Sequence, residues 1–229
     1  MAIARLEIEA FDYYHPLTDF EIALTRDRFT QVNLRQRIDR WLSNPSRRLY
    51  AAGTTNRPFP FQSFVDKYSE VATANALADL ERVAAVAGPM LTAGGLPTGH
   101  SPLAYLPRTI RANTTSLAAL GEAIAGFYLE QWPGFSAVAR PILVSPDLIF
   151  EDTRGRKVVL VEIKTTMRQK ENIRTPLKQA AMDLLDVLAK NRLIQARGYV
   201  CAAVGVVIRD VTTQVLTCEV HFLRMEEEP

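Results

Sequence analysis

The sequence predicts an α/β fold whose second half runs helix, three strands, helix, strand. Three observations carry this. Leu117, Leu120, Ile124, Phe127 and Tyr128 make an apolar stripe at helical spacing. It follows the capping candidates Thr114, Thr115 and Ser116 and ends at Pro133 and Gly134. Next come three strand-like stretches, Ala137 to Val144, Pro146 to Glu151 and Lys157 to Thr166, the last rich in β-branched residues. Finally Thr175-Pro176 opens a second helix with Leu177, Ala180, Ala181, Leu184, Leu185 and Leu188 on one stripe. The continuous apolar run Tyr199 to Ile208 after it suits a buried strand, and Gln214 to Leu223 reads as the last one.

The first half is read with less chemistry in it. Ala4 to Ala10 alternates apolar and charged residues, as an edge strand does, and the aromatic stretch Phe11 to His15 stops at Pro16. Asn33 to Leu42 has Leu34, Ile38, Trp41 and Leu42 at helical spacing, and Arg47 and Arg48 follow as a loop. Phe61 to Tyr68 is expected to be a short helix, and the alanine-rich Thr73 to Val86 a packed one. Gly88 to Pro107 holds four glycines and four prolines and reads as a linker. The expected division is a mostly helical N-terminal region, residues 1–107, followed by a core, residues 108–229. Glu226 to Glu228 are expected to fray.

Composition narrows the classes. A chain of 229 residues with 48% hydrophobic and 23% charged residues is globular. Its net charge of +2 makes no bulk case for a nucleic-acid partner, so such a case rests on local clustering. Glu151 to Val200 supplies one, with eleven Lys/Arg against six Asp/Glu, although a solvated charged surface has the same composition. Cys201 and Cys218 lie in apolar strand-like segments without metal spacing, and are expected to be buried thiols in a reducing compartment. No apolar run reaches the ~18 residues of a membrane span, so a soluble, cytoplasmic protein is expected. His15, His100 and His221 are scattered, no phosphate-binding GxxxxGK[ST] loop occurs, and Gly94, Gly95 and Gly99 lack a dinucleotide-binding context.

The chemistry concentrates between Pro141 and Thr166. Glu162 and Lys164 are two apart in the strand Lys157 to Thr166, so both side chains point to one face and Val159 and Val161 to the other. A carboxylate and an ammonium on a core strand need each other, water or a metal, because isolated buried charge is costly. A salt-bridged pair on a half-exposed face would satisfy them. Upstream, Pro146-Asp147 opens the neighbouring strand, and Gly155 supplies the turn between the two. The combination of Pro146-Asp147, a short hairpin, and Glu162-Ile163-Lys164 resembles the PD-(D/E)xK nuclease superfamily, the restriction-endonuclease-like fold. The resemblance covers roughly Thr114 to Arg209, and the element order in that stretch agrees with the αβββαβ core of that superfamily.

The resemblance implies a Mg²⁺-dependent deoxyribonuclease, an endonuclease in restriction or phage defence, with Mn²⁺ able to substitute. Asp147, Glu162 and Lys164 would be catalytic, with Asp147, Glu162 and the Ile163 carbonyl as metal ligands. Lys164 would stabilise negative charge on the phosphate. Glu122, on the helix before the first core strand, is where the superfamily often adds a metal-binding acid; an ordinary solvent-facing glutamate is the alternative. Gln179 stands where several branches place a glutamine near the active site, and a surface glutamine is as well supported. Thr166, Arg168, Lys170, Arg174 and Lys178 are the candidate DNA contacts. A homodimer, or a subunit of a defence complex, is expected by the same analogy. A catalytically silent module of this fold, binding nucleic acid or a protein partner, is the rival expectation.

Overall fold

The computed structural model describes residues 4–26, 28–54, 56–68, 114–132, 134–141, 145–152, 157–166, 173–211 and 215–227. In chain order these form β1 (Arg5–Leu17), α1 (Asp19–Ala23), a 3₁₀ turn (Leu24–Arg26), α2 (Arg28–Trp41), β2 (Ser46–Ala52) and α3 (Phe61–Tyr68). Then follow α4 (Thr114–Glu130), β3 (Phe135–Ala139), β4 (Leu148–Asp152), β5 (Lys157–Thr166), α5 (Arg174–Lys190), α6 (Arg192–Arg197), β6 (Tyr199–Val211) and β7 (Val215–Glu227). The expected helix Thr73 to Val86 and the linker Gly88 to Pro107 lie outside the described residues. None of the described helices is long and apolar enough to cross a membrane.

This is an α/β fold around one mixed sheet of seven strands, ordered β2-β1-β7-β6-β5-β4-β3. β3, β4 and β5 form an antiparallel meander. β6 then pairs parallel to β5, so the chain crosses over through α5, as a parallel connection requires. β7 returns antiparallel to β6. The sheet has a helical layer on each face. Val159, Val161 and Ile163 of β5, with Val200, Ala202 and Val204 of β6, pack in one core with α3 and α4. The residues of opposite parity, Leu160, Cys201 and Ala203, pack in a second core with α5, α2 and α1. β6 is buried on both faces, which explains its unbroken apolar sequence. Both thiols are buried, and burial pushes the Cys201 thiol up to about 12.

The N-terminal residues are less separate than their sequence suggests. β1 is interior, lying between β2 and β7. It alternates because Leu6, Ile8 and Ala10 face the α4 core while Glu7 and Glu9 face a side that helices cover only partly. It also passes through Pro16, because its pairing with β2 ends at Asp12 and proline is tolerated where one side lacks a strand partner. Arg47 and Arg48 belong to β2 and pair with Glu9 and Asp12, so their charges decorate an outer strand and do not mark a loop. At the other end Glu226 and Glu227 belong to β7, held by parallel pairing with β1. β3 stops at Ala139, short of the expected Val144, two residues before Pro141, which lacks a ladder donor.

Two glycines let α4 approach its neighbours. A Cβ on Gly121 would lie 1.6 Å from the Thr165 hydroxyl oxygen and 2.7 Å from Thr165 Cβ, and one on Gly126 would meet the Tyr68 ring at 2.3 Å. Helix propensity alone favours alanine over glycine by about 1 kcal/mol, whereas forcing atoms into a packed contact costs about 1–3 kcal/mol. Gly121→Ala is therefore expected to destabilise the fold in equilibrium urea unfolding. Thr165→Ala should rescue it only in part, since the Cβ contact remains.

Candidate active site at the ends of strands β4 and β5

The site forms where β4 begins and β5 ends. Leu148 of β4 pairs with Val161 of β5, so Asp147, one residue earlier, stands across from Glu162. Asp147 is anchored there by the backbone: its Oδ2 accepts the Ile163 N–H at 2.6 Å. Glu162 is 1% exposed. Its Oε1 accepts from Lys164 Nζ at 2.5 Å, while its Oε2 is buried without a well-formed hydrogen bond, the Ser145 hydroxyl standing nearby. Lys164 keeps about a third of its side chain in solvent, so its ammonium connects the buried carboxylate to the surface.

A cleft of about 230 Å³ opens beside these groups. It is lined by Leu117, Ala118 and Glu122 of α4, by Asp147, and by Ile163, Lys164 and Thr165 of β5. The helix before the meander thus brings Glu122 to the same cleft as Asp147, where its Oε2 lies 3.7 Å from the Arg140 guanidinium. On the far side of the sheet Gln179 donates through Nε2 to Asp183 Oδ1 at 2.8 Å, and Asp183 Oδ2 lies 4.0 Å from Lys164 Nζ. Neither Asp183 nor Arg140 is singled out by the sequence pattern. The one available signal for Asp183 was its spacing of four from Gln179, which puts both on one helix face.

The remaining candidates fare differently. Thr166 is buried at the end of β5 and shares the parity of Glu162 and Lys164. Arg174 is exposed in the first turn of α5. Lys178 pairs with Asp39 of α2 at 2.9 Å, tying two helices together, so its charge is already matched within the chain. Arg168 and Lys170 lie outside the described residues.

Electrostatics follow from this geometry. Burial raises the Asp147 carboxyl above its ordinary value, and the Ile163 N–H and the charges of Lys164 and Arg140 offset this only in part. Burial likewise raises Glu162, and the facing Asp147 charge raises it further against the pull of Lys164. Burial disfavours the Lys164 ammonium, but the Glu162 hydrogen bond and the charges of Glu162, Asp147 and Asp183 outweigh it, so the lysine is held above its ordinary value and charged. Two acids opposing one another with too little positive charge between them is the arrangement a cation relieves. The Glu162 oxygen left over by Lys164 and the all-oxygen donor set fit a hard divalent ion that retains waters. Among the described residues no group of three or more Asp, Glu, His or Cys side chains is placed to hold a metal ion.

Comparison of the chain with protein-family models, with curated proteins and with solved structures finds no match.

Because Asp147 and Glu162 are both raised, the folded chain holds protons that the unfolded chain releases. Their contribution to stability is greatest below the ordinary carboxylate range and is lost as pH rises from there through the raised folded values. Asp147→Asn keeps an acceptor for the Ile163 N–H and removes one of the opposed charges. In thermal unfolding between pH 4 and 8 it is expected to melt about 2–4 °C above wild type at neutral pH, the shift that ~1 kcal/mol produces at this chain length. The difference should shrink as the pH falls.

Proposed function

We propose that this chain is a Mg²⁺-dependent deoxyribonuclease of the PD-(D/E)xK type. The observation that carries the reading is the opposition of Asp147 and Glu162 across β4 and β5, with Lys164 two residues on and at the lip of a cleft. The order α4, β3, β4, β5, α5, β6, with an antiparallel meander and one parallel crossover, supports it independently of the motif letters. A role in restriction or phage defence, an endonucleolytic mode and a homodimer belong to the same reading and rest on the resemblance alone.

Asp147 and Glu162 would hold the metal, with Glu122 the further acid on the same cleft and the Ile163 carbonyl the backbone ligand of the expected set. When bound, Mg²⁺ supplies charge neutralisation at the phosphorus and an activated water. The chain's own part is positioning and charge. The Ile163 N–H holds the Asp147 carboxylate in place on the sheet. The Lys164 ammonium, kept protonated by three carboxylates, offers its charge to a phosphate oxygen as negative charge develops there. Arg140 adds a second cation beside Asp147 and Glu122. Burial of Glu162 keeps water from screening these interactions.

A second reading has its own observation. Glu162 is ion-paired with Lys164 and Glu122 with Arg140, so the acids are matched within the chain, as a silent binding module of this fold would have them.

Incubation with supercoiled, linear and single-stranded DNA separates the two. The nuclease reading expects cleavage with Mg²⁺ or Mn²⁺, none in EDTA, and a loss of about 100-fold or more in Asp147→Ala and Lys164→Ala. Retention of DNA without cleavage by folded wild type, unchanged by metal, supports the silent module.

A further inference from the structure

The sheet ends in two strands of different character. β3, at one end, has five residues and a register break between Ala137 and Ala139, the kind of irregularity that blunts an edge. β2, at the other, has seven residues in unbroken antiparallel register with β1, from Ser46 to Ala52. Its outer side meets no strand among the described residues. Such an edge presents a row of N–H and C=O groups without a ladder partner. Ser46, Arg47, Arg48, Leu49 and Ala51 are exposed, and Leu49, the middle residue, keeps 77% of its surface in solvent.

The strand is complementary to itself in one alignment. Antiparallel pairing about Leu49 sets Leu49 against Leu49 of a second copy, Arg48 against Tyr50, Arg47 against Ala51 and Ser46 against Ala52. The charges of β2 lie in its first half alone, so each basic half meets an uncharged half. Parallel in-register pairing, or antiparallel pairing about Arg48, sets arginine against arginine, which is destabilising. Pairing about Tyr50 drops Ser46 and Arg47 from the ladder. The arginines do not block the edge, because Glu9 holds Arg47 and Asp12 lies 3.3 Å from Arg48. Charge also matches across the contact. Ala51 pairs with Glu7 of β1, so Arg47 of one copy stands in the row of Glu7 of the other, with one methyl group between them. Glu7, Glu9, Leu49 and Ala51 line a groove of about 380 Å³ on that face, beside which Leu49 and Arg47 of the second copy come to lie.

We infer that β2 is the surface through which two copies of this chain associate. They pair β2 to β2 about a two-fold axis at Leu49 and join their sheets edge to edge. The symmetry makes every contact twice. Three strands separate β2 from β5, so the contact leaves the cleft at β4 and β5 open. The inference gives the homodimer of the reading above a surface and a register, but it stands on β2 alone and not on metal-dependent chemistry.

Sedimentation velocity of the whole chain at low salt, in a concentration series up to ~100 μM, tests this. Wild type is expected to dimerise. Leu49→Glu brings two carboxylates together at the axis, beside Glu9 of each copy, and should leave a folded monomer, since Leu49 is exposed. Arg47→Glu and Glu7→Arg should each weaken association about 10-fold, because like charges then approach at two places. An equimolar mixture of these two variants should dimerise as wild type does, because opposite charges face one another again at both. Leu49→Cys should give a disulfide-linked dimer on mild oxidation, its paired Cα atoms lying about 5 Å apart. Ala51→Cys should not, its counterpart lying about 13 Å away along the strand. Cys201 and Cys218 are buried and do not compete. Wild type that stays monomeric, a dimer that survives Leu49→Glu, or a mixture that associates no better than its components would each overturn the proposal. Cross-linking of Ala51→Cys as readily as Leu49→Cys would overturn the alignment, and the proposal with it.

Discussion

The site depends on one constraint: the carboxylate of Glu162 is buried in a seven-stranded sheet and must be compensated there. An isolated ionised carboxylate in an apolar interior is held at a penalty of several kcal/mol even after relaxation. The chain answers with Lys164 from the same strand face, whose charge Glu162, Asp147 and Asp183 together favour. Asp147 works in the opposite sense, since its charge raises Glu162. A structural salt bridge would gain nothing from a second acid there. Under the proposed metal-dependent reading, the opposed pair is unfavourable alone and becomes favourable when a cation binds.

The cores on the two faces of the sheet make this arrangement rigid. β5 contributes Val159, Val161 and Ile163 to one core and Leu160 to the other, so the strand bearing Glu162 and Lys164 has little freedom to shift register. Small residues then set how closely the helices approach. Gly121 lets α4 press onto Thr165, which brings Glu122 to the cleft. On the other face Gly205, paired with Lys164 on one side and His221 on the other, leaves room for Ile173, whose Cγ1 would lie 2.8 Å from an added Cβ. Ile173 precedes the first turn of α5, so the same close approach places Asp183 near Lys164.

The same row of the sheet continues from Lys164 through Gly205 and His221 to Phe11. There His221 stacks on Phe11 with centroids 4.7 Å apart and its ring nitrogens face Tyr13 and Glu219. The N-terminal strand therefore completes a polar strip on the face that carries Glu162 and Lys164. β1 and β2 extend the same sheet, and β1 covers the edge that β7 would otherwise present.

Local physics made much of the site legible in the sequence alone. The period of two in a β-branched run put Glu162 and Lys164 on one face, and the helical stripes placed α4 and α5 close to their observed bounds. The turn between β4 and β5 implied that Asp147 would lie near Glu162. Other features were beyond it because they depend on partners far away in the chain. β1 alternates like an edge strand, and only its parallel pairing with β7, some two hundred residues later, makes it interior. Arg47 and Arg48 read as loop charges until Glu9 and Asp12 take them into a strand. Lys178 and Asp183 are both charged residues of one helix, and nothing local separates them. The packing of α5 against α2 and β5 directs Lys178 to Asp39 and Asp183 to Lys164. The sequence by itself determined which residue types could carry charge on which face, because side-chain direction follows from backbone period. Only the tertiary structure decided which charges meet, because an ion pair depends on a distance of a few ångströms that helix and strand packing sets.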